Sequence, residues 1–71
     1  MKIRLRLAEL LHERGMTRYA LSQRTEIQFP TLDRYYKNKV IRYDSYVLAK
    51  ICEALNCDIS DILECVPDDD T

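Results

Sequence analysis

The sequence has little of several residue types that characterise other classes of protein. Its 71 residues include one glycine, two prolines, one histidine and no tryptophan. No apolar run approaches the roughly 18 residues of a membrane-spanning helix. The N-terminus also lacks the apolar segment and the cleavage site of a secretory signal. These absences argue against a membrane or secreted protein, so we expect a cytoplasmic location and no membrane partner.

Cysteine is scarce and odd in number. Cys52, Cys57 and Cys65 all lie in the last third of the chain, whereas a secreted disulfide framework has an even number of cysteines. A zinc site needs about four closely spaced ligands, and His12 is far away in the sequence. We therefore expect three small thiols in or near the core and neither a metal nor another cofactor. A redox or metal role is the less favoured alternative.

Motifs for catalysis are absent too. The lone His12 follows Leu11 on a predicted helix, where a position at the surface is the simplest interpretation. Cysteine–histidine chemistry would need a positioned base and an oxyanion site, and the sequence contains no motif for either. We do not expect an enzyme.

The length of the chain allows one domain and little else. A protein of this size buries about 60% of the surface that its unfolded chain exposes. Hydrophobic residues make up 46% and charged residues 32% of the sequence, the balance of a globular protein. We predict a single domain over 1–66 and an acidic flexible tail over 67–71. No separate catalytic or ligand-sensing domain fits.

The charges are distributed unevenly along the chain. The net charge is only −1. However, residues 1–42 carry ten Lys and Arg against four Asp and Glu, a net charge of +6. Residues 43–71 carry one lysine against eight acidic residues, a net charge of −7. This asymmetry predicts a basic surface for a polyanion, beside an acidic part that keeps the protein soluble.

The N-terminal residues follow the period of a β-strand. Apolar and cationic side chains alternate from Lys2 to Leu7, which predicts a short strand at about 2–6. A helix that starts at residue 2 is the competing interpretation. The alternating segment could pair with Leu63–Val66, either within the chain or across a dimer, and Pro67 would end that strand.

Five helices follow from apolar periodicity and from residues that start or stop helices. Ala20 and Leu21 are predicted to face inward on the second helix. Pro30 is tolerated because it falls in the first turn of the third helix. The predicted N-caps are Thr17, Gln28, Asp44 and Asp58, the last with Asp61 as capping partner. The predicted left-handed stops are Gly15, Asn38 and Asn56. The predicted helices cover about 7–14, 18–24, 28–37, 45–55 and 59–64.

Helices two and three are separated by only about three residues, as a helix-turn-helix requires. This order of elements resembles the phage-repressor (Xre/Cro-like) helix-turn-helix family over about residues 7–64. The resemblance depends on Thr17, Leu21, Ser22, Ile27, Thr31, Leu32, Tyr35 and Asn38. It continues through Leu48, Ile51, Leu55, Asn56, Cys57, Ile59, Asp61, Ile62 and Leu63. It implies an all-α, lambda-repressor-like domain of four or five helices, with a short N-terminal strand as an addition.

The resemblance also implies a function. Members place the third helix in the major groove of double-stranded DNA, here with the motif at about Thr17–Lys37. The positions expected to reach base edges are Gln28, Phe29, Thr31 and Arg34. Those expected to contact the DNA backbone are Arg18, Lys37, Lys39 and Arg42, with the hydroxyls of Tyr19, Tyr36 and Tyr43 as further candidates. Alternatively, Gln28 only caps the helix, Phe29 packs into the domain, and the tyrosines cover a small core.

The sequence departs from the family pattern at two positions. Glu26 stands in the turn, where members usually have a glycine because one residue needs a positive φ. We therefore expect a slightly different turn. Tyr36 replaces an acidic residue common near the end of the recognition helix, so the local salt bridge expected there should be absent.

Three questions about function stay open at this level. A repressor that blocks a promoter is the simplest form of regulator, since no activation domain is evident. We expect a weak homodimer, because readers of this type usually pair two domains about one DNA turn apart. The alternative is an antitoxin or interaction module of the same fold, whose acidic segment 58–70 binds a partner protein by charge complementarity.

Overall fold

The computed structural model describes residues 1–68, which form five helices and two short strands. The elements are β1 (Lys2–Leu5), α1 (Leu7–Glu13), α2 (Arg18–Thr25), α3 (Phe29–Tyr36), α4 (Ser45–Leu55), α5 (Ile59–Ile62) and β2 (Leu63–Val66). The predicted fold class is confirmed, including the N-terminal strand. The predicted flexible tail falls mostly on residues 69–71, which lie outside the described residues, so it stays a prediction, as does the domain boundary at residue 66.

The two strands pair with each other within the chain. They run antiparallel, with Ile3 opposite Cys65 and Leu5 opposite Leu63. This decides between the two pairings that the sequence left open. The predicted fifth helix is present and starts at Ile59, but its predicted end at Glu64 was wrong, because α5 ends at Ile62. The backbone is extended from Leu63 onwards because its N–H and C=O groups form hydrogen bonds with β1.

Left-handed residues lie at the ends of four helices, and three of them form the same hydrogen-bond pattern. Gly15, Asn38 and Asn56 have φ values of 62°, 59° and 51°. In each case the N–H of the left-handed residue donates to the carbonyl three positions back. The N–H of the next residue donates to the carbonyl five positions back. This pattern is the Schellman motif, which satisfies carbonyls that the helix end would otherwise leave free. The three predicted stops are confirmed.

The helix starts follow the predicted capping residues, with one exception. Thr17 accepts a hydrogen bond from Ala20 N–H at 3.0 Å, and Asp44 accepts one from Tyr46 N–H at 2.8 Å. Asp58 forms a reciprocal capping box with Asp61. Gln28 occupies the N-cap position of α3, but its side chain makes no capping hydrogen bond.

A single apolar core joins all the elements. On α2 the prediction for Ala20 was wrong, because this residue is exposed. The buried side of α2 consists of Leu21, Ser22 and Thr25, and the two hydroxyls bond to backbone carbonyls. The buried apolar residues are Leu5, Leu7, Leu10, Leu11, Leu21, Ile27, Leu32, Tyr35, Val47, Ile51, Leu55 and Ile62.

Within residues 1–68, no helix has the length and apolar character that crossing a membrane requires. The same stretch contains no group of three or more His, Cys, Asp and Glu side chains placed to hold a metal ion. Its three cysteines are free thiols.

Candidate nucleic-acid interface

The turn between α2 and α3 keeps the left-handed conformation that usually favours glycine. Glu26 has φ 60° and ψ 22°, and its N–H donates to the Ser22 carbonyl at 2.9 Å. The Ser22 hydroxyl donates to the Ile27 carbonyl at 2.6 Å, and the Thr25 hydroxyl accepts from Ile27 N–H at 3.3 Å. The expectation of a different turn was therefore wrong. Buried hydrogen bonds hold Glu26 in a conformation that is costly for a residue with a Cβ.

Two core residues fix the position of α3. Leu32 is fully buried, and Tyr35 is buried except for 4% of its surface. The Tyr35 hydroxyl accepts a hydrogen bond from the Asp44 N–H at 2.9 Å. Its ring meets Tyr43 edge to face, with 6.1 Å between the centroids. Because Asp44 also caps α4, the inner side of α3 is held against the start of that helix.

The outer side of α3 carries the predicted base-contacting residues. Gln28, Phe29 and Arg34 are exposed, and Thr31 is half-buried. Gln28, Thr31 and Arg34 follow one another at intervals of three residues, so they share one side of the helix. Gln28 and Arg34 make no hydrogen bond or ion pair with other side chains among residues 1–68. The fold therefore presents three of the four residues along one stripe, with Phe29 beside it.

Asp33 lies on a second side of α3, the side that faces α2. Its carboxylate lies 2.5 Å from Arg18 Nη1 and 3.0 Å from Lys37 Nζ. The Lys37 ammonium first, and then the Arg18 guanidinium, hold the pKa of Asp33 below its ordinary value. The Arg18 guanidinium also lies over the ring of Tyr36, 4.5 Å from its centroid. Position 36 forms no salt bridge, as expected, but Asp33 forms a local one about one turn earlier in α3.

The connection between α3 and α4 lies beside the Arg34 end of the first stripe. Lys39 and Arg42 are exposed there, and neither belongs to an ion pair within residues 1–68. Together with Arg34, they border a shallow depression of about 410 Å³. Ile41, at the same place, is 92% exposed. The predicted backbone-contacting residues thus fall into two groups: Arg18 and Lys37 share Asp33, whereas Lys39 and Arg42 have no ionic partner in the described part of the chain.

The three candidate tyrosines are in different environments. Tyr19 is exposed, whereas Tyr36 and Tyr43 are half-buried against the core. The half-buried pair fits the alternative that tyrosines cover a small core.

Sequence reasoning missed two features of this surface. Asp33 had one local signal, its spacing of four residues from Lys37 on a helix. Its contact with Arg18 had none, because that contact depends on the crossing of α2 and α3. Tyr46, exposed at the start of α4 with Lys50 Nζ 5.6 Å from its ring centroid, was also missed.

Two packed helices, joined by a tight left-handed turn and presenting a polar and cationic outer stripe, define a helix-turn-helix domain of the DNA-binding class. The chain belongs to the Cro/C1-type HTH DNA-binding domain family, whose model matches residues 6–68. The resemblance found in the sequence is confirmed. The match covers both the motif and the closing helices, whereas β1 lies outside it.

Solved structures share the fold. A proposed DNA-binding protein from Bacteroides fragilis superposes with a TM-score of 0.77 at 24% identity, covering 89% of this chain and 100% of the other. The transcriptional regulator VanUg superposes with a TM-score of 0.74 at 32% identity, covering 96% of this chain and 92% of the other. A comparison with curated proteins gave no match.

Proposed function

We propose that this protein is a sequence-specific, double-stranded DNA-binding regulator of transcription that acts as a repressor by covering a promoter. The observation that carries the proposal is the exposed stripe of Gln28, Thr31 and Arg34 on a helix whose opposite side is locked into the core. The similarity to VanUg, a transcriptional regulator, supports it.

The stripe supplies the chemistry of base recognition. An α-helix with its side chains is about 10–12 Å across, so α3 fits the major groove, which is about 12 Å wide. Arg34 can donate two hydrogen bonds to guanine, and Gln28 can pair with adenine. Phe29 can pack on a thymine methyl group, and Thr31 can bond to either kind of base edge. Each good two-point contact discriminates against a wrong base by about 1–3 kcal/mol.

The cations around the stripe provide contacts to the DNA backbone. Lys39 and Arg42 have no ion pair among residues 1–68 to break, and they would bind phosphates directly. A phosphate contact from Arg18 or Lys37 would compete with the ion pair that each of them forms with Asp33. We therefore assign most of the sequence-independent affinity to Lys39 and Arg42, and we give Arg18 mainly the role of fixing α3 relative to α2.

The proposal includes a weak homodimer. One recognition helix covers only a half-site, and two domains about 34 Å apart would read two successive turns of the same groove. A palindromic operator is the corresponding expectation, because a two-fold protein reads a two-fold site.

Selection of bound sequences from a random pool of duplex DNA tests this function. We expect enrichment of one motif, repeated as a palindrome with its centres about one DNA turn apart. Affinity for the selected duplex should fall steeply with salt, because phosphate contacts release counterions. A pool that stays random, together with an affinity that does not change with salt, would show that the protein does not act on DNA.

A further inference from the structure

Two of the three cysteines lie at the same helix end. Cys52 is in the last turn of α4, and Cys57 follows Asn56, the left-handed residue that stops this helix. The Cys57 N–H donates to the Cys52 carbonyl at 3.0 Å across the stop. In a Schellman motif, the two residues joined by this longer hydrogen bond commonly bring their side chains into contact. Here both of those side chains carry thiols.

The surroundings of the pair favour the protonated form of both thiols. Both side chains are half-buried against the core. Burial raises the pKa of each thiol, and each thiol also affects the pKa of the other. The carboxylates of Asp58 and Asp61, at the start of α5, act in the same direction as burial on Cys52. Because the thiolate is the reactive form, either thiol should react with a small oxidant more slowly than an exposed thiol does at neutral pH.

One charged group acts in the opposite direction. Arg14, at the end of α1, lowers the pKa of Cys57 against the effects of burial and of the other thiol. Within the pair, however, the hydrogen bond from Cys57 lowers the pKa of Cys52, whereas Cys52 raises the pKa of Cys57. These effects oppose one another, so either thiol can start an exchange reaction.

We propose that Cys52 and Cys57 form a dithiol site that is oxidised reversibly to an intramolecular disulfide by low-molecular-weight disulfides. The thiolate of one cysteine attacks one sulfur of the small disulfide, so a mixed disulfide forms and one small thiolate leaves. The thiolate of the other cysteine then attacks the cysteine sulfur of that mixed disulfide, and the second small thiolate leaves. The two departing thiolates take up the two cysteine protons. The protein loses two hydrogen atoms, and the small disulfide is reduced to two thiols.

The new bond would join the end of α4 to the segment that leads into α5. It lies outside the α2–turn–α3 unit, so the proposal does not depend on DNA binding. Cys65 is exposed on β2 and has no contact of this kind with the pair. It would instead form a mixed disulfide or link two molecules.

Mass spectrometry of a Cys65→Ser variant tests the proposal. The folded variant is incubated with oxidised glutathione at mildly alkaline pH, the exchange is stopped with acid, and free thiols are then alkylated at neutral pH with excess reagent in denaturant. We expect a monomer that has lost two hydrogen atoms and carries neither glutathione nor an alkyl group. Cleavage after Glu53, which lies between the two cysteines, should leave two peptides that separate only after reduction.

Two controls test whether the folded end of α4 favours formation of the disulfide between Cys52 and Cys57. The double variant Cys52→Ser, Cys65→Ser should retain one stable glutathione adduct on Cys57, because no second thiol can displace it. In concentrated guanidinium, at the same glutathione concentration, the Cys65→Ser variant should show a ratio of internal disulfide to mixed glutathione disulfide at least tenfold lower than the folded protein. Two persistent glutathione adducts in the folded Cys65→Ser protein, or equal ratios in the folded and unfolded states, would overturn the proposal.

Discussion

The side-chain amide of Asn38 brackets the backbone of Leu5. Its Oδ1 accepts the Leu5 N–H at 2.7 Å, and its Nδ2 donates to the Leu5 carbonyl at 3.1 Å. Asn38 is also the left-handed residue that ends α3, with φ 59°. The left-handed backbone of Asn38 therefore ends the proposed recognition helix. Its side chain ties that end to β1, the strand that pairs with β2.

Substitution of Asn38 should separate its two roles. Asn38→Gly keeps the left-handed backbone but removes both hydrogen bonds, so the free energy of unfolding should fall by about 1–2 kcal/mol. Asn38→Ala also places a Cβ in the left-handed region and should lose about 1 kcal/mol more. Urea unfolding at neutral pH measures both changes. A glycine variant as stable as the parent would show that the bonds to Leu5 contribute nothing.

Glycine in the turn should stabilise the protein. Glu26→Gly relieves the left-handed strain at this position, worth about 1–2 kcal/mol, but adds about 0.5–1 kcal/mol of backbone entropy to the unfolded state. We expect a net gain of about 0.5 kcal/mol in thermal or urea unfolding. Glu53→Gly is the matched control, since Glu53 is exposed in a regular helix and its replacement should cost about 1 kcal/mol. Destabilisation by both variants to the same extent would refute the strain at Glu26.

Base and backbone contacts should respond differently to substitution. Arg34→Ala should relax the preference at one base pair of the selected site, with a loss of about 1–3 kcal/mol on that site alone. Lys39→Ala should weaken binding to every duplex by a similar factor and reduce the salt slope by about one. Binding titrations on the selected site and on a site changed at one base pair measure both effects. Equal losses on both duplexes from Arg34→Ala would count against this residue as a base reader.

Removal of the Asp33 carboxylate should release two cations. In Asp33→Asn the Arg18 and Lys37 side chains lose their shared partner, and the surface gains one positive charge. We expect tighter binding to non-specific duplex and a salt slope that is steeper by about one to two. Arg18→Met is the control: if Arg18 mainly fixes α3, this variant should lose sequence preference while the salt slope stays unchanged. A slope reduced by about one would instead make Arg18 a phosphate ligand.

Acid should weaken an ion-pair network at the sheet. Arg4 lies 2.7 Å from both Glu9 and Glu64, and the hydrogen bond from Arg4 is the largest effect that holds the pKa of Glu9 below its ordinary value. Ionised Glu9 therefore stabilises the folded state above the pKa of the unfolded chain, and this contribution is lost as pH falls through the folded pKa.

A comparison of parent and Glu9→Gln across pH measures that contribution. The difference in unfolding free energy should be small at neutral pH, because the pair is partly exposed. It should disappear as the pH falls below about 4. A difference that stays constant over this range would show that ionisation of Glu9 is not the source.

The helices and their ends could be read from the sequence because the signals are local. The capping side chains accept hydrogen bonds from N–H groups within three residues, as Thr17, Asp44 and Asp58 do. The helix stops at Gly15 and Asn56 use a left-handed backbone that glycine and asparagine tolerate better than other residues. The candidate base-contacting residues could be named for the same reason, since their spacing on α3 follows from the period of the helix.

The remaining features depend on residues that meet only after folding. Arg18 finds Asp33 fifteen positions away, and Asn38 finds Leu5 thirty-three positions away. Neither contact leaves a pattern in the sequence, because it depends on how the elements cross. The tertiary structure alone decided that β2 begins where a helix was expected, since pairing with β1 outweighs the helical preference of residues 63 and 64. It also decided that Glu26 adopts a left-handed turn, because the buried bonds of Ser22 and Thr25 hold the chain there.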